Sequence, residues 1–196
     1  MYEKINITEN TLRITSLFTN YLKEDYYIRE ISTILKISPR TSQLILEDLE
    51  SKGILKSKIK GKIRVFKLQK NKDMRRFIEL IEQYKTITFA SKNKLIKEII
   101  NEIEEHIEGI GIIFGSYVKE LETEDSDLDI FVAGSYNEKE INKISKTYGI
   151  DISVKCYPKK VFKEKLKKDI LLKEILKNHI IITNVEGFVK EVMKDE

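Results

Sequence analysis

The sequence predicts a mixed α+β protein in two parts. Three observations carry that reading. From Thr11 to Leu49 apolar residues recur at helical spacing. Two alternating segments, ILKSKIK and KIRVFKLQK, come next and are split by Lys60-Gly61. In the C-terminal half, short apolar runs (GIGIIFGS, SDLDIFVA, GIDISVKCY) alternate with amphipathic stretches, the order of a sheet with flanking helices. Residues 1–72 form the first part, 73–94 a helical linker and 95–196 the second part.

Taken in order, Leu12, Ile14, Leu17, Phe18 and Leu22 mark a first helix over Thr11 to Leu22. A second covers Tyr26 to Ile37. The third has a start signal of its own: Ser38 as N-cap and Pro39 at the first helical position. It runs through Leu44, Ile45, Leu46 and Leu49 to a C-terminal cap at Gly53. The alternating segments after it form a β-hairpin. A long helical stretch from about Asp73 to His106 weakens around Thr86 to Ser91. The helix NEKEINKISKTY lies between the second and third strands of the C-terminal part. The tail reads as helix (Lys159 to Lys168), helix (Asp169 to Asn178), short strand (HIIIT) and helix (Val185 to Met193).

The 196 residues are 35% charged and 41% hydrophobic, with a formal net charge of +4. That is a soluble balance and too weak a bias to imply nucleic acid by itself. Cys156 stands alone, so no disulfide forms within the chain, and no Cys/His cluster has zinc-ligand spacing. The N-terminus MYEKINITEN is not a signal peptide, and the apolar runs are too short to span a bilayer. A reducing cytoplasm is the expected location. The isolated His106 and His179 are expected to be structural or exposed, and Cys156 a small buried apolar residue.

Gly115-Ser116 is followed after ten residues by Asp127-Leu128-Asp129. In a strand, residues i and i+2 share a face about 6.5–7 Å apart, so Asp127 and Asp129 project together. Bare, they repel; a divalent cation relieves this and takes both as oxygen ligands. Asp151, in the next strand, shares a face with Ser153. If the two strands are neighbours, three carboxylates converge on one point. Such a site suits two magnesium ions clamping an in-line phosphoryl displacement. Gly115 lets a phosphate approach the backbone, and the Ser116 hydroxyl and nearby N–H groups are suited to bind it.

GSYVKELETEDSDLDIFV resembles the signature of the nucleotidyltransferase-fold superfamily that includes DNA polymerase beta. It is more closely similar to the minimal nucleotidyltransferases of prokaryotes. Their pattern is Gly-Ser, ten residues, Asp-x-Asp, then a third Asp on a later strand. The resemblance covers about residues 95 to 194, including KEKLKKDILLKEILKNHIIITNVEGFV, which is similar to their helix-helix-strand-helix ending. It implies a mixed sheet with flanking helices and transfer of a nucleoside monophosphate, in the first instance AMP from ATP, to a protein or RNA hydroxyl. Gly115 and Ser116 would hold the phosphates of the ATP or other NTP. Asp127 and Asp129 would bind both Mg2+ ions. Asp151 would bind one ion and act as general base. It also implies a role as antitoxin, with a HEPN ribonuclease toxin as protein partner. Two positions depart from the family: Tyr117 stands where many members have Arg, and Glu120 where many have Gly. The acidic run Glu120, Glu122, Glu124 and Asp125 would repel a triphosphate unless a metal neutralised it.

Three helices and a hairpin are the order of a winged helix-turn-helix. SPRTSQLILEDLESKGIL resembles the recognition helix and wing lead-in of archaeal and bacterial winged-helix regulators, over residues 8 to 70. On that resemblance Arg40, Thr41, Gln43 and Leu44 would face the major groove of duplex DNA. Lys52 to Lys72 carries Lys52, Lys56, Lys58, Lys60, Lys62, Arg64, Lys67, Lys70 and Lys72 without an acidic residue, a phosphate-contacting pattern. Glu47, Asp48 and Glu50 in the recognition helix oppose it, and docking or dimerisation is the competing use. The sequence thus holds two readings, an enzyme and a DNA-binding regulator whose second domain senses nucleotides or is inactive. It leaves the oligomeric state open.

Overall fold

Ser38 caps the third helix as its sequence dictates. Its hydroxyl accepts from Thr41 N at 3.0 Å, and Pro39 follows at the first turn. The computed structural model describes residues 6–21, 25–69, 74–123 and 126–194. Lys70, Lys72, Glu124 and Asp125 lie outside them, as do Leu22 and the 72/73 boundary. The described chain divides into two compact units between Ile81 and Glu82.

In the first unit, α1 (Glu9–Leu17), α2 (Ile28–Leu35) and α3 (Pro39–Ser51) accompany a sheet of β1 (Asp25–Tyr27), β2 (Leu55–Lys60) and β3 (Ile63–Leu68). The strand order is β1-β3-β2, antiparallel throughout. Ile14, Phe18, Ile31, Leu46, Leu49, Ile54 and Phe66 are buried. The hairpin turns at Gly61, which takes φ +61° with open space around it. The first helix ends five residues short of the expected Leu22. Phe18, Thr19 and Asn20 turn back on the carbonyls of Thr15, Ser16 and Leu17 instead of continuing. The second helix starts late because Asp25, Tyr26 and Tyr27 pair with Lys67, Phe66 and Val65.

Helix α4 (Arg75–Lys92) is continuous where the sequence pattern weakens. The reason is tertiary: the Thr86 hydroxyl donates to the Ile181 carbonyl at 2.7 Å. The helix stops at Asn93, whose side chain caps α5 (Lys94–Glu104) by accepting from Ile96 N at 3.1 Å.

The second unit continues through β4 (Ile107–Phe114), β5 (Leu128–Tyr136), α6 (Glu138–Tyr148), β6 (Ile152–Tyr157), α7 (Lys159–Lys165), α8 (Ile170–Lys177), β7 (Ile180–Thr183) and α9 (Val185–Val192). The sheet order is β6-β5-β4-β7; β5 and β6 are parallel and the other pairs antiparallel. Strand alternation splits the core. Leu128, Ile130 and Val132 pack with Ile96, Ile99, Ile103, Ile141 and Ile144 from α5 and α6. Asp129, Phe131 and Ala133 face the opposite way. There Phe131 meets Tyr157 at 5.3 Å and Phe162 of α7 at 5.8 Å between ring centres.

His179 is fully buried beside Phe188, with ring centres 5.1 Å apart. The Lys85 ammonium lies 2.7 Å from Glu82 Oε2 and 3.1 Å from His179 Nε2. The ammonium donates to Glu82, and His179 Nε2 also lies 3.3 Å from Glu82 Oε1, so the three side chains form one buried polar cluster. Burial works to raise the Glu82 carboxyl, but the Lys85 ammonium and the adjoining ring hold it down at about 2. Burial, helped by Lys85, pushes the His179 ring below its usual value. An unfolded histidine takes up a proton near pH 6.5. The neutral ring therefore stabilises the fold fully above that pH, and the stability is lost as pH falls below it, by up to about 1.4 kcal/mol per pH unit. Protection factors of the β7 amides, referred to the intrinsic exchange rate at each pH, are expected to fall between about pH 7 and pH 5.5, above the range where an unfolded Glu82 titrates. His179→Gln should level that dependence; an unchanged slope in the variant would assign it elsewhere.

Candidate active site

Gly115 closes β4 with φ +80°, and a side chain there would overlap the Asp129 carboxylate, whose Cγ lies 3.1 Å from the ideal Cβ position. Glycine is required both by the backbone and by this close approach. Ser116 begins the turn. Its carbonyl accepts from Lys119 N and Leu121 N, each at 3.1 Å, folding residues 117–119 into a short 3-10 turn. The turn ends on Glu120 in the left-handed region, φ +55°. Many members of the family the chain resembles have glycine here, the residue that this backbone conformation favours. Glu120 is ion-paired with Lys92, which lowers its carboxyl. One charge of the acidic run is thereby compensated within the chain.

Asp129 pairs in register with Phe114 on one side and Ser153 on the other. Its carboxyl is raised by burial first and then by Asp127, and Lys155 partly offsets this. The two aspartates therefore feel one another, as their i, i+2 spacing requires. Leu128 pairs with Ile152, and Leu128 N donates to the Asp151 carbonyl at 2.7 Å. Asp127 and Asp151 thus precede matching positions of adjacent parallel strands. The sequence expectation of three converging carboxylates is met in register but not in side-chain proximity. Among the described residues no three carboxylate, imidazole or thiol side chains stand close enough to hold a metal ion. Asp151 is exposed at the sheet rim, before its strand begins.

Asp127 and Asp129 still fit a divalent cation. Magnesium binds through one or two carboxylates completed by substrate phosphates. The raised Asp129 carboxyl is the repulsion that a cation would relieve. Tyr117, at the family's arginine position, has its phenol pushed up by burial, then by Glu122 and Asp127. It brings no cation for phosphate.

Lys155 was not singled out by sequence reasoning. Strand alternation carried on from Asp151 and Ser153 would have found it, since all three share a face of β6. Lys155 pairs with Phe131 and is exposed. Cys156, expected to be buried, is exposed on this edge strand, and its thiol donates to the Gly134 carbonyl at 3.4 Å.

The DNA-contact candidates of the first unit are distributed differently. Arg40 and Lys62 are exposed and unpaired among the described residues. Thr41 is taken up by the Ser38 cap. Gln43 donates to Glu47 Oε1 at 2.9 Å. Lys58 and Lys60 are both paired with Asp25, and Arg64 with Glu50 and, at 3.9 Å, Glu47. Lys58, Lys60 and Arg64 are therefore ion-paired within the unit, the two lysines with a single carboxylate.

Residues 94–190 match the family model of the nucleotidyltransferase domain. The match takes in most of the second unit and supports the nucleotidyltransferase fold there, and Gly115, Ser116, Asp127, Asp129 and Asp151 all lie inside it. None of the curated proteins compared matches the chain. One solved structure, described as "Structure of TrmBL2, an archaeal chromatin protein, shows a novel mode of DNA binding", aligns with 88% of this chain and 71% of its own. Its identity is 15% and the TM-score 0.29, a superposition too loose to carry an argument. Among the described residues no helix is long and apolar enough to cross a membrane.

Proposed function

We propose that the second unit transfers a nucleoside monophosphate, AMP from ATP in the first instance, to a hydroxyl of a macromolecular acceptor. The observation that carries this reading is the Asp127–Asp129 pair set against Gly115 within the nucleotidyltransferase match. Gly115 and Ser116 cradle the outer phosphates. Asp127 and Asp129 would hold a magnesium ion, which would supply charge neutralisation of the triphosphate. The acceptor oxygen forms its bond to the α-phosphorus as the bond to pyrophosphate breaks, and the exposed Asp151 carboxylate takes the hydroxyl proton. An antitoxin acting on a HEPN toxin is one form of this reading.

The test is incubation with α-labelled ATP, CTP, GTP or UTP, magnesium and a lysate of the host, beside Asp127→Ala/Asp129→Ala. Label on a discrete protein or RNA band, from the wild type alone, supports the reading. Robust transfer by the double variant overturns it.

A second reading, a DNA-binding regulator whose nucleotidyltransferase domain senses nucleotides, draws on the helices and wing of the first unit and on the unpaired Arg40 and Lys62. If Arg40→Ala/Lys62→Glu leaves duplex-DNA binding unchanged at moderate salt, those residues are not DNA contacts.

A further inference from the structure

Positive charge gathers beside the candidate site within the second unit. Residues 155–168 contain Lys155, Lys159, Lys160, Lys163, Lys165, Lys167 and Lys168 against the single acid Glu164. Lys163 is held by Glu191 at 3.3 Å, and the Lys167 ammonium reaches the Lys194 carbonyl at 3.5 Å. Lys159, Lys160 and Lys168 have no ion pair among the described residues, and Lys155 acts only at longer range on the Asp129 carboxyl. Lys165 sits 6.0 Å over the half-buried Tyr157 ring.

Position gives this charge its meaning. Helix α7 lies on the Asp129 face of the sheet, because Phe162 packs on Phe131. Lys155 stands on that face, one pleat beyond Ser153, the register partner of Asp129. Helix α6 also bears lysines, but it covers the opposite face through Ile141 and Ile144. A track of cations thus runs from the carboxylate site along edge strand β6 and over α7. Folded protein surfaces intersperse charges of both signs. A nucleic-acid strand supplies a phosphate at every step, and lysine point charges beside an aromatic ring are what single-strand grooves use.

We propose that this lysine ledge binds single-stranded RNA and that RNA is the acceptor presented to the candidate site. The proposal rests on the nucleotidyl-transfer reading, but its test does not require transfer. Binding of a labelled single-stranded oligoadenylate is followed by fluorescence anisotropy through a salt titration, with EDTA and without nucleotide. The full chain is compared with Lys159→Glu/Lys160→Glu, the milder Lys159→Gln/Lys160→Gln, the wing variant Lys56→Glu/Lys62→Glu, and Asp127→Ala/Asp129→Ala. The ledge reversal is expected to weaken binding about tenfold or more and to make the salt slope shallower by about 1.4, two contacts at about 0.7 each. The glutamine pair should fall between it and wild type, and the wing variant should bind as wild type. The aspartate variant should bind RNA as well as wild type or better, so loss of transfer with RNA binding intact separates the two proposals. Wild-type binding by the ledge reversal, loss confined to the wing variant, or competition by polyglutamate equal to that by RNA would each overturn the ledge as an RNA site.

Discussion

Asp127→Ala/Asp129→Ala is expected to lower nucleotidyl transfer about a thousandfold, equivalent to about 4 kcal/mol at the transition state. The pair provides the carboxylates within mutual reach at the start of β5, and without them the site loses its hold on the cation that would neutralise the triphosphate. The single change Asp129→Asn separates chemistry from folding. It preserves shape while removing a charge that burial and Asp127 both penalise. At neutral pH the ionised form of a group whose folded pKa is raised disfavours the native state. Asn at this position is therefore expected to raise the melting temperature in metal-free buffer while transfer falls nearly as far as in the double variant. A variant that transferred within tenfold of wild type would remove Asp129 from the metal site.

Gly115→Ala is the second large effect. Its methyl would enter the space of the Asp129 carboxylate and would impose φ +80° on a residue with a Cβ. A non-glycine residue in such a conformation costs about 1–3 kcal/mol. Displacement of the carboxylate by about an ångström is worth about a hundredfold in rate. Gly61→Ala is the control, because Gly61 takes a similar φ of +61° with nothing within 4 Å of its ideal Cβ position. Denaturant unfolding and initial transfer rates should show both variants destabilised but only Gly115→Ala impaired in transfer. Equal rates in the two would mean that Gly115 serves the turn alone.

What the sequence made legible was local. The Ser38-Pro39 start, the Gly61 turn and the strands flanking Gly115 and Asp127 follow from neighbours a few residues apart, and the structure agrees with them. What it hid depends on distant partners. Strand β1 is three residues long and exists through its pairing with β3. The weak pattern after Thr86 hides a helix secured by Ile181, 95 residues away. Wing lysines that read as open charge are answered by Asp25, which precedes Lys60 by 35 residues. Lys155 gains significance only once β6 is known to run parallel to β5 with Ser153 opposite Asp129. Asp151 shows the limit of register itself, because matching strand positions do not bring an exposed side chain into a cluster.

The Glu82–Lys85–His179 contact and the Thr86 bond to Ile181 also decide how the second unit can be excised. The nucleotidyltransferase match begins at residue 94, after all three α4 residues. A fragment started there would strip the polar partners from His179 and bare the β7 end of the sheet. Such a piece is a candidate for inclusion bodies whatever its catalytic residues. One begun ahead of Glu82 keeps the second half of α4 against β7 and should express as a folded body.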